Sequence, residues 1–80
     1  MFTVKLHEYG PQGLTIAVLY TAESVEITLD EENNYVVDLY HNGDRTNQLI
    51  LRADRYGSVF VENAQGKTVQ RVDSKAHPKP

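Results

Sequence analysis

The feature that most constrains this chain is an alternation of apolar and polar residues with a period of two. The first segment, FTVKLHE, places Phe2, Val4 and Leu6 on one face and polar residues on the other. Because successive side chains of a β-strand point to opposite faces, this pattern predicts half-buried strands. The same alternation runs through LTIAVLYT, SVEITLD, YVVDLYH, QLILRAD and SVFVEN. KTVQRV is a weaker seventh candidate, because Val69 and Val72 fall on opposite faces.

Short turn signals separate these segments at the spacing of β-hairpins: GPQG, TAE, DEENN, HNGDRTN, DRYG and NAQG. No segment has a competing helical period beyond a single turn. We therefore predict an all-β fold, a single small domain of six or seven short antiparallel strands in a meander, forming a rolled sheet, small barrel or compact sandwich. The domain is expected to span residues 1–72. Residues 73–80, DSKAHPKP, are expected to form a disordered C-terminal tail.

In the fourth turn, the local turn chemistry conflicts with the hydrophobic pattern. Residues 42–43 are an Asn-Gly pair, which favours a two-residue type I′ turn. That turn would set the inward-facing Val37 opposite the polar Gln48. Since a slip of one residue turns every side chain to the other face, we expect the hydrophobic pattern to prevail. A three-residue loop pairs Val37 with Leu49, and a five-residue loop pairs Val37 with Leu51.

The first hairpin shows no such conflict. A three-residue loop at residues 10–12 pairs Leu6 with Ile16 and keeps apolar positions opposite each other. In the second strand, the alternation places Leu14 on the same face as Ile16.

Size and composition limit the classes of function. The 80 residues include no cysteine, which excludes disulfides, thiolate zinc sites and thiol nucleophiles. No apolar run approaches the roughly 18 residues that span a bilayer, and the N-terminal residues do not resemble a signal peptide. We therefore expect a soluble, cytoplasmic protein that binds no membrane. A domain of this size is also expected to have little room for a ligand pocket of roughly 300 Å³.

Two polar stretches are the candidates for metal chemistry. Asp38 and His41 point to opposite faces of a strand, and Asp44 lies across a turn, so a zinc site there is not expected. Residues 30–34, DEENN, lack the glycine and the distant glutamate of a calcium-binding loop. No serine lies in a Gly-x-Ser-x-Gly turn, and no group is placed to orient a catalytic histidine. We expect no metal, no cofactor and no enzymatic activity.

The net charge of −3 is unevenly distributed along the chain. Residues 1–40 carry seven acids and one base, a net charge of −6, and residues 41–80 carry seven bases and four acids, a net charge of +3. If the two halves were separate in space, the molecule would steer toward a charged partner or a copy of itself. We expect instead that the halves interleave in one sheet and that the asymmetry cancels.

A surplus of apolar residues on the nominally outer strand faces indicates closure of the sheet or an interface: Ala17, Leu19, Val36, Tyr40, Ile50 and Phe60. We predict a non-enzymatic protein-interaction module, such as a small assembly component, an inhibitor or an adaptor. Small size and the lack of cysteine and catalytic residues are also usual among phage accessory proteins. The expected partner is another protein or a copy of this chain. Contacts would come from an edge strand and from Tyr40, Arg45, Arg55, Tyr56 and Phe60.

The alternative function is binding of single-stranded nucleic acid by a small β-barrel. Such barrels combine basic residues that contact phosphates with aromatic residues on which bases stack. The residues that would do so here are Arg52, Arg55, Tyr56, Phe60 and Lys67. A sequence pI of about 5.5 and the absence of RNA-binding signatures count against this alternative.

Overall fold

A computed structural model describes residues 1–76. These residues form seven β-strands, all paired antiparallel, and no helix. The strands are β1 (Phe2–Gly10), β2 (Gly13–Ala22), β3 (Ser24–Leu29), β4 (Tyr35–His41), β5 (Asp44–Leu51), β6 (Tyr56–Glu62) and β7 (Thr68–Asp73). The predicted all-β class and the higher of the two predicted strand counts are therefore confirmed.

The strands form two sheets, one in the order β2-β1-β6-β7 and the other in the order β3-β4-β5. Most neighbouring strands are consecutive in the chain and form hairpins, as in a meander. The exception is the pair of β1 and β6, because the chain leaves the first sheet after β2 and returns to it at β6. The first crossing is at Glu23, whose backbone amide donates to the Tyr40 carbonyl oxygen at 2.9 Å. Over the described residues the sheets do not close into a barrel, which favours the sandwich or rolled-sheet form of the prediction.

The core lies between the sheets and is built from the inward positions of the alternating strands. The buried apolar residues are Val4, Leu6, Ala22, Val59 and Val61 in the first sheet and Val37, Leu39, Leu49 and Leu51 in the second. Each has at most 8% of its surface exposed, so the alternation correctly identifies which face of these strands is buried.

The β4-β5 hairpin satisfies both the turn chemistry and the hydrophobic pattern. Residues 42–43 form a two-residue turn with φ angles of 53° and 80°, both in the left-handed region. A β-bulge at Thr46 then adds one residue to β5, and Val37 lies opposite Leu49. The Thr46 hydroxyl donates to the Leu39 carbonyl oxygen at 3.4 Å. The strand register predicted for a three-residue loop is confirmed, although the loop itself has two residues, and the five-residue alternative is wrong.

The β1-β2 hairpin is built in the same way. Its turn consists of residues 11–12, and a bulge at Thr15 follows, with the Thr15 hydroxyl donating to the Glu8 carbonyl oxygen at 3.1 Å. Leu6 therefore lies opposite Val18. The predicted partner of Leu6, Ile16, was wrong by two residues, because the turn is one residue shorter and the bulge shifts the register by one residue.

The same bulge changes the face of Leu14. Leu14 pairs with Tyr9 on the outer face of the sheet, whereas Ile16 pairs with Glu8 on the inner face. The expectation that Leu14 and Ile16 share a face is therefore wrong, because the extra residue in the bulge reverses the alternation on its far side.

The C-terminal boundary of the domain lies beyond residue 72. Asp73 is the last residue of β7, and Ser74 is buried, with its backbone amide donating to the Gly57 carbonyl oxygen at 3.0 Å. The Ser74 hydroxyl oxygen in turn accepts the Gly57 amide at 3.1 Å. Two residues of the expected tail thus belong to the folded domain, and residues 77–80 lie outside the described residues.

Gly57 occupies a position at which any side chain would collide with its surroundings. A Cβ atom there would lie 2.7 Å from the His7 carbonyl oxygen and 2.8 Å from Leu51 Cδ1. We expect Gly57→Ala to lower the free energy of unfolding by about 1–3 kcal/mol, measured by urea denaturation.

Gly10→Ala is the matched control for this substitution. The atom nearest to its new Cβ is the Thr15 methyl carbon at 2.9 Å, on an exposed side chain that can yield more easily than backbone. A loss at Gly57 no larger than the loss at Gly10 would contradict this account of the packing.

Candidate interaction surface

Strand β2 forms one edge of the four-stranded sheet and carries no charged residue over its ten positions, GLTIAVLYTA. Several of its apolar side chains are exposed, with Leu19 at 61% and Leu14 at 53%. An edge strand presents unpaired backbone N–H and C=O groups, and proteins usually protect such edges with charges, prolines or short strands. β2 has neither charge nor proline, and its bulge at Thr15 interrupts only the end near the turn.

The other three edge strands carry charged residues. β3 carries Glu26 at its centre and β7 carries Arg71 and Asp73, whereas β5 has charges only at its turn end, before an uncharged segment of six residues. A charged side chain on an edge must be desolvated or paired when a further strand is added, so these edges resist pairing. β2 is therefore the edge with the longest uncharged stretch among the described strands, although its Thr21 carbonyl oxygen lies 2.8 Å from His41 Nε2.

The outer face of the four-stranded sheet continues from β2 into an aromatic cluster. We call His7, Tyr9, Tyr56 and Phe60 the outer aromatic cluster. The His7 and Phe60 ring centroids are 5.3 Å apart. The Tyr9 ring lies edge-on to the His7 ring, with 6.4 Å between their centroids. Tyr56 lies directly opposite Tyr9 across the two strands. The two tyrosines are exposed and the other two rings are half-buried, and exposed aromatic rings are enriched in protein interfaces.

The cations on this face are paired with neighbouring acids. Lys5 Nζ lies 3.0 Å from Glu62 Oε2, and Arg71 Nε lies 3.1 Å from Asp73 Oδ1. The Arg71 guanidinium carbon also lies 5.0 Å from the centroid of the Phe60 ring, within the range of a cation–π interaction. The outer face therefore has no large field of one sign.

The five residues predicted for a protein interface lie on two different surfaces. Tyr56 and Phe60 belong to the outer aromatic cluster. Tyr40 and Arg45 lie opposite each other on the outer face of the three-stranded sheet, where Arg45 Nη1 is 3.5 Å from an Asp38 carboxylate oxygen. The fifth residue, Arg55, lies in the connection between β5 and β6.

The five residues of the nucleic-acid alternative are also dispersed. Arg52 pairs with Asp54 at 3.2 Å, and Arg55 lies 3.9 Å from the carboxylate of Glu8. Lys67 is in the turn after β6, whereas Tyr56 begins that strand. Phe60 shares a face with Tyr56, but four residue spacings of extended chain, about 13 Å, separate them.

Each of the two sheets contains strands from both the acidic and the basic half of the sequence. β1 lies against β6, and β4 lies against β5, so in each sheet the strands of the acidic half form one block beside the strands of the basic half. Three ion pairs join residues of the two halves: Lys5–Glu62, Asp38–Arg45 and Glu8–Arg55. The expected interleaving of the halves in one sheet is therefore not observed, although these pairs bring opposite charges of the two halves together where the blocks meet.

Sequence reasoning missed a buried carboxylate at the end of β1. Glu8 is only 7% exposed and lines an open cleft of about 470 Å³ with Tyr9, Ile16, Arg55 and Tyr56. A second open cleft, of about 530 Å³, lies near Arg52. The two sheets thus leave more concave surface than the size of the domain predicts. Extending the alternation of Phe2, Val4 and Leu6 by one step would have identified Glu8 as inward-facing.

The residues considered for a zinc site are used in local contacts. His41 Nε2 lies 2.8 Å from the Thr21 carbonyl oxygen, and Asp38 Oδ1 accepts a hydrogen bond from Gln48 at 2.8 Å. Asp44 lies opposite His41, while Asp38 is on the other face of β4. Within residues 1–76, no group of three or more histidine, aspartate or glutamate side chains is arranged to hold a metal ion.

In the DEENN loop, the carboxylate of Asp30 binds backbone. Asp30 Oδ1 accepts the amides of Glu32 and Asn34 at 2.8 and 2.9 Å. The hydrogen bond from the backbone amide of Asn34 is the main cause of a lowered pKa for the Asp30 carboxyl group. Asn63 forms the same loop after β6, where its Oδ1 accepts the Gln65 and Lys67 amides, both at 3.0 Å. Both loops are thus turns organised by a side-chain oxygen.

In comparisons with protein-family models, curated proteins and solved structures, no family model, protein or structure matches this chain. Residues 1–76 include no helix of the length and apolarity that crossing a membrane requires.

Asn63 shows that a neutral side-chain amide can organise a loop of the kind that Asp30 organises. We therefore expect Asp30→Asn to keep the melting temperature at pH 7. Asp30→Ala is expected to lower it, because alanine has no oxygen to accept the backbone amides of the loop. The wild-type carboxylate has a folded-state pKa below its ordinary value of 3.8, so its contribution is present above pH 3.8 and is lost as the pH falls through the folded-state value. Melting temperatures measured between neutral and acid pH should therefore fall less in Asp30→Asn than in the wild type. Equal acid sensitivity would count against this role.

Proposed function

We propose that this protein is a non-enzymatic protein-interaction module that binds its partner by adding a strand at the edge of β2. The observation that carries the proposal is the absence of charge along a ten-residue edge strand with exposed leucines. The backbone groups of such an edge bind a partner strand through main-chain hydrogen bonds, and the adjoining side chains supply specificity.

The outer aromatic cluster extends this contact beyond the edge. Leu19 lies opposite Lys5 and Leu14 lies opposite Tyr9, so these two exposed leucines share a face with the cluster. A partner that pairs with β2 can therefore also cover Tyr9 and Tyr56, and buried aromatic anchors contribute much of the binding energy of interfaces. Tyr40 and Arg45, on the outer face of the other sheet, are not part of this surface.

The proposed role is that of an assembly component, an inhibitor or an adaptor, of the size typical of phage accessory proteins. A location in the cytoplasm belongs to the same proposal, because the chain needs no oxidising compartment in the absence of cysteine. The competing function is binding of single-stranded nucleic acid on the aromatic residues of β6. The pairing of Arg52, Arg55 and Arg71 with acids weighs against it, because the phosphate contacts of such proteins need free cations.

The test is a capture experiment with the full chain and two matched variants. Leu19→Lys places a charge on the β2 edge, and Val69→Lys places the same charge at a residue of similar exposure, 52%, on the β7 edge of the same sheet. Neither side chain is buried, so both variants are expected to fold, which urea denaturation checks. Each protein is immobilised, exposed to lysate of the encoding cells with and without nuclease, and washed at low and high salt.

We expect the wild type and Val69→Lys to retain the same protein near stoichiometric yield after nuclease and high salt, and Leu19→Lys to retain about tenfold less. Equal retention by Leu19→Lys would show that β2 is not the binding edge. Recovery of nucleic acid that is lost at high salt would favour the alternative, because phosphate contacts weaken steeply with salt.

A further inference from the structure

We propose that the strand added at β2 is the β2 strand of a second copy of this chain, which gives a two-fold dimer with one continuous eight-stranded sheet. This inference rests on the proposed use of the β2 edge and specifies its partner. Antiparallel strands related by a two-fold axis present the same patch to each other, so the contact must be complementary to itself.

A contact between two identical patches restricts where charged residues can lie. Near a two-fold axis each side chain lies close to its own symmetry mate, so a charged residue there meets a like charge. Pairing of β3 with itself would bring together copies of Glu26, and pairing of β7 with itself would bring together copies of Arg71. β2 carries no charge from Gly13 to Ala22 and avoids this penalty along its whole length.

The absence of charge also distinguishes a copy from an unrelated partner. A strand that recognises a different protein can place a charge opposite the partner's opposite charge, which improves specificity and selects against wrong partners. A self-pairing strand cannot place opposite charges across the contact close to the axis, because both copies carry the same residue there. An edge strand of ten uncharged residues, exposed over most of its length up to the buried Ala22, is therefore what self-pairing requires, whereas recognition of another protein has no need of it.

The bulge at Thr15 and the strand pattern select a register for the pairing. Beyond the bulge, the regular part of β2 is Ile16–Ala22, which is centred on Leu19. An antiparallel pair centred there places Leu19 opposite its own mate and Val18 opposite Tyr20. Residues with odd numbers then face odd-numbered residues, so the outer and inner faces of the two sheets stay continuous.

Charges beside the axis do not oppose this arrangement. The residue opposite Leu19 on β1 is Lys5, and its amine is paired with Glu62 at 3.0 Å. Three strand spacings would separate Lys5 from its mate in the dimer, about 14 Å. That distance exceeds the roughly 8 Å over which exposed charges interact at physiological ionic strength.

The test is a charge exchange at Leu19, measured by sedimentation equilibrium of the full chain over a wide range of concentrations. The wild type is expected to dimerise, and Val69→Lys to dimerise with an unchanged dissociation constant. Leu19→Lys and Leu19→Glu, which each place two like charges at the axis, are expected to raise the dissociation constant about tenfold or more. Mixing these two variants is expected to restore the dimer, because lysine then lies opposite glutamate.

Three results would overturn the inference: a wild type that is monomeric at all concentrations, a dimer that both Leu19 variants leave intact, or a mixture that stays monomeric. A monomeric wild type that still captures a protein through β2, in a Leu19-dependent manner, would leave the proposed function standing with a different partner. If no protein is captured and no dimer forms, both proposals fail.

Discussion

The two-residue period of the strands is the constraint on which the rest of this structure depends, because every tight turn has to preserve it. A two-residue turn alone would set inward positions of one strand opposite outward positions of the next. Bulges at Thr15 and Thr46 each add one residue and restore the match. In both hairpins the threonine hydroxyl donates to a carbonyl seven residues earlier, Glu8 or Leu39. The core is therefore continuous even though the turns follow their own chemistry.

This mechanism explains which parts of the fold could be predicted. Alternation identifies the strands and most of the buried residues, and parity limits the partner of Val37 to Leu49 or Leu51, of which the structure has Leu49. A bulge has no comparable signal, so the partner of Leu6 and the face of Leu14 were predicted wrongly. The pairing of β1 with β6 was also inaccessible, because apolar alternation does not specify which strand lies beside which.

The candidate site was less predictable than the fold, because it depends on which strands lie side by side. That β2 lacks charge is visible in the sequence, but its significance depends on the strand being an edge, and edges are set by topology. Exposed aromatic residues could be identified on β6 by alternation. Their contact with His7 requires the β1-β6 pairing, and the burial of Glu8 depends on how the two sheets stack.

The central claim, that the β2 edge pairs with its own copy, is tested most directly by residue-resolved hydrogen exchange of the backbone amides. The β2 amides that point away from β1 should exchange slowly in concentrated protein and should accelerate on dilution to the rate of the outward-pointing β7 amides. The β7 amides should show no dependence on concentration. If the outward-pointing β2 amides exchange as fast as those of β7 at every concentration, the edge is open in solution and the claim is contradicted.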